Sequence, residues 1–120
     1  MEERSWHASY DEGVRASVPY EDVPVPDFLG RTAERFPERD AILFMNRRIR
    51  YAEYKEHADR MATAMARLGD VKGDMVAIHT PTIPQAAIAY QAAASLGACV
   101  VLTNPLYMPR EIEHLSLIHI

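Results

Sequence analysis

Five histidines, one cysteine and one Thr-x-x-Gln step are the residues in this 120-residue sequence whose types and spacing suggest chemistry. Imidazoles serve as metal ligands or proton carriers and a thiolate as a nucleophile, but each role needs partners at a defined spacing. His7, His57, His79, His114 and His119 do not form, with one another or with Cys99, the ligand pattern of a metal site. They read as surface or packing histidines. Cys99 stands alone in the apolar run "GACVVL", which excludes a disulfide within the chain and a metal site built on paired thiolates, and suits a reducing compartment. Thr82 and Gln85, in "PTIPQ", have the spacing of a capping box that starts a helix. The free N–H groups of such a start attract anions, but every helix start has that property, so a structural cap is the preferred reading. The sequence has no G-x-G-x-x-G, Walker loop or G-x-S-x-G, and its 5 glycines are all singletons. No catalytic, cofactor-binding or metal-binding residue is therefore assigned to this chain.

The elements that would position any site begin from an ordinary composition. With 48% hydrophobic and 25% charged residues the chain fits one globular domain, not two. A net charge of -4, from acidic and basic residues mixed along the whole length, leaves no basic stripe for nucleic acid. The opening "MEERSWHASYDEGVR" is charged where a secretory signal would be apolar, and no window reaches the length of a membrane span. The expectation is a soluble cytoplasmic protein.

Residues 1–26 hold Gly13, Pro19, Pro24 and Pro26 without a sustained period and read as an extended lead-in. Phe28, Leu29, Thr32, Ala33 and Phe36 recur at helical spacing until Pro37, and Gly30 inside that helix costs about 1 kcal/mol against alanine. "AILFM" and "RIRY" predict a hairpin around Asn46-Arg47, with Asn46 taking the positive backbone angle. Tyr54, Ala58, Met61, Met65 and Leu68 then mark one face of a long helix closed by Gly69. "MVAIH" and "ACVVL" predict buried, central strands on either side of an alanine-rich helix running to about Leu96. Strand, helix and strand in that order predict a parallel crossover, and the fold class is α/β.

"ERFPERDAILF", "YAEY", "GDMVAI", "PTIPQ" and "LGACVVLTNPLYMPREIEH", in that order, resemble the opening of the adenylate-forming acyl-CoA synthetases, in particular the medium- and long-chain fatty acid ligases; "SWHASYDEGV" is similar to the lead-in of the same branch. The resemblance implies the N-terminal part of the large domain of that fold. It also implies a parent enzyme that uses Mg-ATP to turn a fatty acid into an acyl-adenylate and passes the acyl group to CoA. In relatives the phosphate loop, the adenine and magnesium segment, the ribose-binding Asp, the hinge and the C-terminal Lys all lie downstream of the matching region. ATP, Mg and CoA are thus implied for the parent and for no residue here, and peripheral membrane contact and a homodimer stay open for it. Two positions depart from the family pattern: Arg50 stands where Thr or Ser usually caps the long helix, which is expected to fray its start, and Thr82 replaces a common Asn.

The end of the chain departs further. "PREIEH" starts an amphipathic helix that "LSLIHI" is not expected to continue, because apolar groups would then fall on several faces with no cap behind them. "LSLIHI" is also the translation of CTG TCT CTT ATA CAC ATC, the transposase end sequence attached to DNA fragments in sequencing libraries. The expected organisation is a lead-in over 1–26, a partial AMP-binding synthetase domain over 27–114 and a non-native adapter tail over 115–120. Two functions follow: an inactive N-terminal slice of an acid–CoA ligase, or a short non-enzymatic α/β binding or scaffolding module derived from the same fold.

Overall fold

The computed structural model describes residues 4–69 and 72–119, with side chains described through Leu117. A 3-10 turn at Ser5–Ser9 opens the lead-in, which is otherwise irregular. Helix α1 spans Val25–Arg35, beginning three residues before Phe28, the first of the periodic positions. Pro24 is its N-cap and Pro26 falls in its first turn, where a missing N–H leaves no bond unmade.

Strands β1 (Asp40–Phe44) and β2 (Arg47–Arg50) form the expected antiparallel hairpin, with Phe44 opposite Arg47 and a bulge at Ala41. The positive angle falls on Met45 (φ 51°), not on Asn46. A positive φ at the first of two loop residues alone is the II′ pattern, which matches strand twist as well as the Asn-favouring I′ turn does.

Helix α2, Tyr51–Leu68, ends at Gly69 in the left-handed region (φ 111°). Arg50 provides no side-chain cap, yet the helix begins at Tyr51. The Tyr51 N–H donates to the Arg39 carbonyl at 3.0 Å and the Ala52 N–H to that of Pro37 at 3.1 Å, so backbone from the preceding turn replaces the absent hydroxyl. Arg50 instead pairs with Glu38.

β3 (Met75–His79), α3 (Pro84–Ser95) and β4 (Cys99–Thr103) follow, and β3 and β4 pair in parallel from Met75 with Cys99 to His79 with Thr103. The capping box at Thr82 and Gln85 does not form. A residue before proline avoids the helical region, so Ile83 is extended (φ -125°, ψ 162°), becomes the N-cap, and moves the helix start to Pro84. Ala92 and Ala93, without exposed surface, meet Met65 of α2, with Val76 and Val100 packed around them. Their short side chains let α3 lie against both the sheet and α2. Gln91, also buried, donates to the Pro26 carbonyl at 3.0 Å and ties the first turn of α1 to this core.

The parallel strands are not central among the described residues. They pair only with each other; burial alternates along β3, where Ile78 is covered while Met75, Ala77 and His79 are exposed, but not along β4, where Thr103 is buried and Cys99 and Leu102 are exposed. Helix α3 packs on Val76 and Val100, while Leu102 beside Ile78 is 70% exposed, an incomplete covering for apolar parallel strands. Helix α4, Pro109–His119, runs straight through the "LSLIH" segment, where an interruption was expected. That segment contains no Pro or Gly, so nothing stops the helical hydrogen bonding from continuing. Leu117 is left 79% exposed.

Candidate functional site

In parallel α/β sheets ligand sites form beyond the carboxyl ends of the strands. Here β3 and β4 both end at a groove of about 530 Å³, lined by Ile78, Leu102, Thr80, Asn104, Tyr54 and Tyr90 among others. Tyr54 reaches it from α2 and Tyr90 from α3. The Tyr54 hydroxyl donates to the Ala87 carbonyl at 3.0 Å, fixing α2 against α3. Burial pushes the Tyr54 phenol above its ordinary value, and the neighbouring Tyr90 adds to the rise.

Two of the groove's other polar groups serve the turn that follows each strand. The Thr80 hydroxyl donates to the Pro81 carbonyl at 3.2 Å, and Asn104 Oδ1 accepts from the Leu106 N–H at 3.0 Å. Its side chains supply no carboxylate, imidazole, ammonium or thiol. This surface is a shaped wall that can contact a ligand and has no group suited to move a proton near neutral pH.

The residues singled out by type do not converge. His7 meets Trp6 edge-on and Tyr10 at a tilt beside the 3-10 turn, with ring centroids 6.1 and 5.6 Å apart. His57 faces Glu53 at 3.4 Å on α2, His79 is exposed at the end of β3, and His114 is exposed on α4. The His119 side chain lies outside the described residues. Cys99 is exposed at the start of β4. Among the described residues no three His, Cys, Asp or Glu side chains come together to hold a metal ion. No helix there is long and apolar enough to cross a membrane. Tyr54 was legible only as an apolar-face position; its hydroxyl contact joins positions 33 residues apart, and no local pattern signals that.

Against known proteins, residues 29–116 match the family model "AMP-binding enzyme", and the chain belongs to that family. It is 31% identical over 112 residues to a long-chain-fatty-acid–CoA ligase of Bacillus subtilis, covering 93% of this chain and 20% of the relative. It is 34% identical over 92 residues to the mitochondrial medium-chain acyl-CoA ligase ACSF2 of Rattus norvegicus, covering 75% of this chain and 15% of that one. Among solved structures it resembles NpsA-ThdA of Klebsiella oxytoca, an artificially fused adenylation–PCP di-domain, with a TM-score of 0.77 and 34% identity over 81% of this chain and 19% of that chain. The α/β fold is thus that of the N-terminal part of adenylate-forming enzymes, and the chain spans about a fifth of the length of the curated relatives it matches.

Proposed function

We propose that this chain is the N-terminal slice of the large domain of a fatty acid–CoA ligase, with a lead-in over 1–26, the domain segment over 27–114 and an adapter tail over 115–120. The parent activates a fatty acid with Mg-ATP to an acyl-adenylate and pyrophosphate, then transfers the acyl group to CoA, in the cytoplasm. The observation that carries the reading is the continuous 31% identity to the Bacillus subtilis long-chain ligase across 93% of the chain.

The residues present do not fit an Mg-ATP site. Phosphate cradles need a run of backbone N–H groups or a glycine-rich loop, and a Mg ion needs carboxylates. The groove at the ends of β3 and β4 has no glycine and no carboxylate in its lining, so no step of the reaction is assigned to these side chains. Their contribution is to hold one wall of the fold: Ala92 and Ala93 seat α3 on the sheet, and Tyr54 locks α2 to it. The slice alone is expected to release no pyrophosphate.

Sequencing the source locus past the His114 codon tests the reading. An open frame continuing into a Thr/Ser/Gly-rich loop supports it, and a genomic stop after Ile120 overturns it in favour of a short non-enzymatic module. The match to the NpsA-ThdA di-domain favours a second reading, an adenylation domain that hands its acyl group to a carrier protein. Acyl transfer by the complete gene product to CoA, without a carrier protein, separates the two.

A further inference from the structure

Of the chain's 13 lysines and arginines, six are arginines within residues 27–50, a stretch with four acids, while the lead-in over 1–26 carries six acids and two arginines. Four of the six arginines have a carboxylate partner: Arg31 pairs with Glu21, Arg47 with Glu53, Arg48 with Asp40 and Arg50 with Glu38. Arg35 and Arg39 have none among the described residues, and both are exposed.

What holds these two is a single ring. Their guanidinium carbons stand 5.0 and 4.7 Å from the centroid of Phe36, within cation–π range, so they lie no more than 9.7 Å apart, the sum of the two distances. The turn beneath them is fixed. The Phe36 N–H donates to the Thr32 carbonyl at 2.8 Å and the Arg39 N–H to the Phe36 carbonyl at 3.2 Å, and the Arg39 carbonyl accepts from the Tyr51 N–H at the start of α2. A guanidinium stacked on a ring keeps N–H groups for an oxyanion, and one that is already ordered loses less freedom on binding.

Arg31 and Arg35 are four apart on α1 and share a face, and Arg39 follows around the Phe36 turn. The lead-in shows how such a row is met: Glu21, in an irregular and exposed stretch, pairs with Arg31 at its start. We propose that Arg35 and Arg39 continue this row as a docking site for an acidic, extended segment of a partner protein, whose carboxylates pair with the two guanidiniums. Charge complementarity carries the choice. Asp27 and Glu34 stand on the same helix, so a nucleic acid with unbroken phosphates meets repulsion that carboxylates spaced along a peptide avoid. None of these residues lines the groove at the strand ends, and the inference does not rest on the ligase reading.

Fluorescence polarisation of a fluorescein-labelled hexaglutamate peptide with the complete gene product tests the proposal. Saturable binding is expected, weakening as salt is raised, with a neutral serine–glycine hexapeptide not binding. Arg35→Ala and Arg39→Ala should each weaken it about threefold, as for exposed ion pairs, and Glu21→Gln, which frees Arg31, should tighten it about twofold. These are surface changes, and thermal melts check that each variant folds as the unsubstituted protein does; the peptide comparison needs no variant. Indifference to both arginines or equal binding of the neutral peptide would overturn the proposal. So would an oligothymidylate that binds as tightly and loses as much on the same substitutions, or sedimentation showing a dimer that the same substitutions dissolve, which would make the occupant a second copy of this chain.

Discussion

Isolating this chain is itself a perturbation whose size can be worked out from the structure. Its accessible surface is 9500 Å² for a mass of 13.6 kDa. A compact monomer of that mass exposes about 6600 Å², and its extended chain about 19,700 Å². The chain therefore buries about half of its unfolded surface, where a domain of this size buries roughly two-thirds. Its radius of gyration, 18.4 Å, points the same way, since about 13.6 Å is usual for this length. The shortfall is visible as Met75, Leu102, Leu106, Met108 and Leu117, all exposed, and no large side chain among the described residues is fully buried. Net stability is only about 5–15 kcal/mol even when burial is complete. We expect the isolated chain to be poorly soluble or marginally folded, to bind a hydrophobic dye and to unfold over a broad urea range, with far-UV and near-UV dichroism giving different midpoints. A soluble monomer with coincident, sharp transitions by both probes would refute the reasoning.

Other perturbations have local magnitudes, best read by urea denaturation of the complete gene product. Gly30→Ala should stabilise by about 0.5–1 kcal/mol, because a Cβ there meets Lys55 Cε at an ordinary 3.7 Å while helix propensity improves. Gly69→Ala should destabilise by about 1 kcal/mol or more through its φ of 111° alone, since the added Cβ meets no atom within 4 Å. Tyr54→Phe should cost about 0.5–1.5 kcal/mol near neutral pH by removing the bond to Ala87. The Tyr54 phenol is raised in the folded state, so the stability linked to it is complete below about pH 10 and is lost as pH climbs through the folded value. The Phe variant should lack that part of the alkaline loss, and a pH series comparing the two proteins checks it.

The elements that carry strong local signals were legible in the sequence. Tyr54, Ala58, Met61 and Met65 marked α2, Gly69 its end, and the apolar pair "MVAIH" and "ACVVL" the parallel strands. Misreadings came where one local rule outweighed another. Pro84 forced Ile83 to be extended and so overrode the Thr82–Gln85 box. Carbonyls of Pro37 and Arg39 capped α2 in place of a hydroxyl, a contact set by how the chain turns at Pro37 rather than by the residue at the cap. The strands' continuous apolarity indicated burial on two faces, but the chain leaves most of their residues partly or fully exposed. The groove at the strand ends was not legible: Tyr54 and Tyr90 are brought together by packing between elements, and composition carries no trace of that.

The central claim is that this chain opens an enzyme that joins an acid to CoA, with the chemistry performed by later segments. The most direct test is to express the full reading frame of the source locus and to measure acyl-CoA formation together with pyrophosphate release for acids from acetate to palmitate, beside the 120-residue chain alone. The account predicts ATP- and CoA-dependent thioester formation by the full product, strongest for medium or long acids, and none by the short chain. Thioester or acyl-adenylate formation by the 120 residues alone, or a full product inert toward every acid, would contradict it.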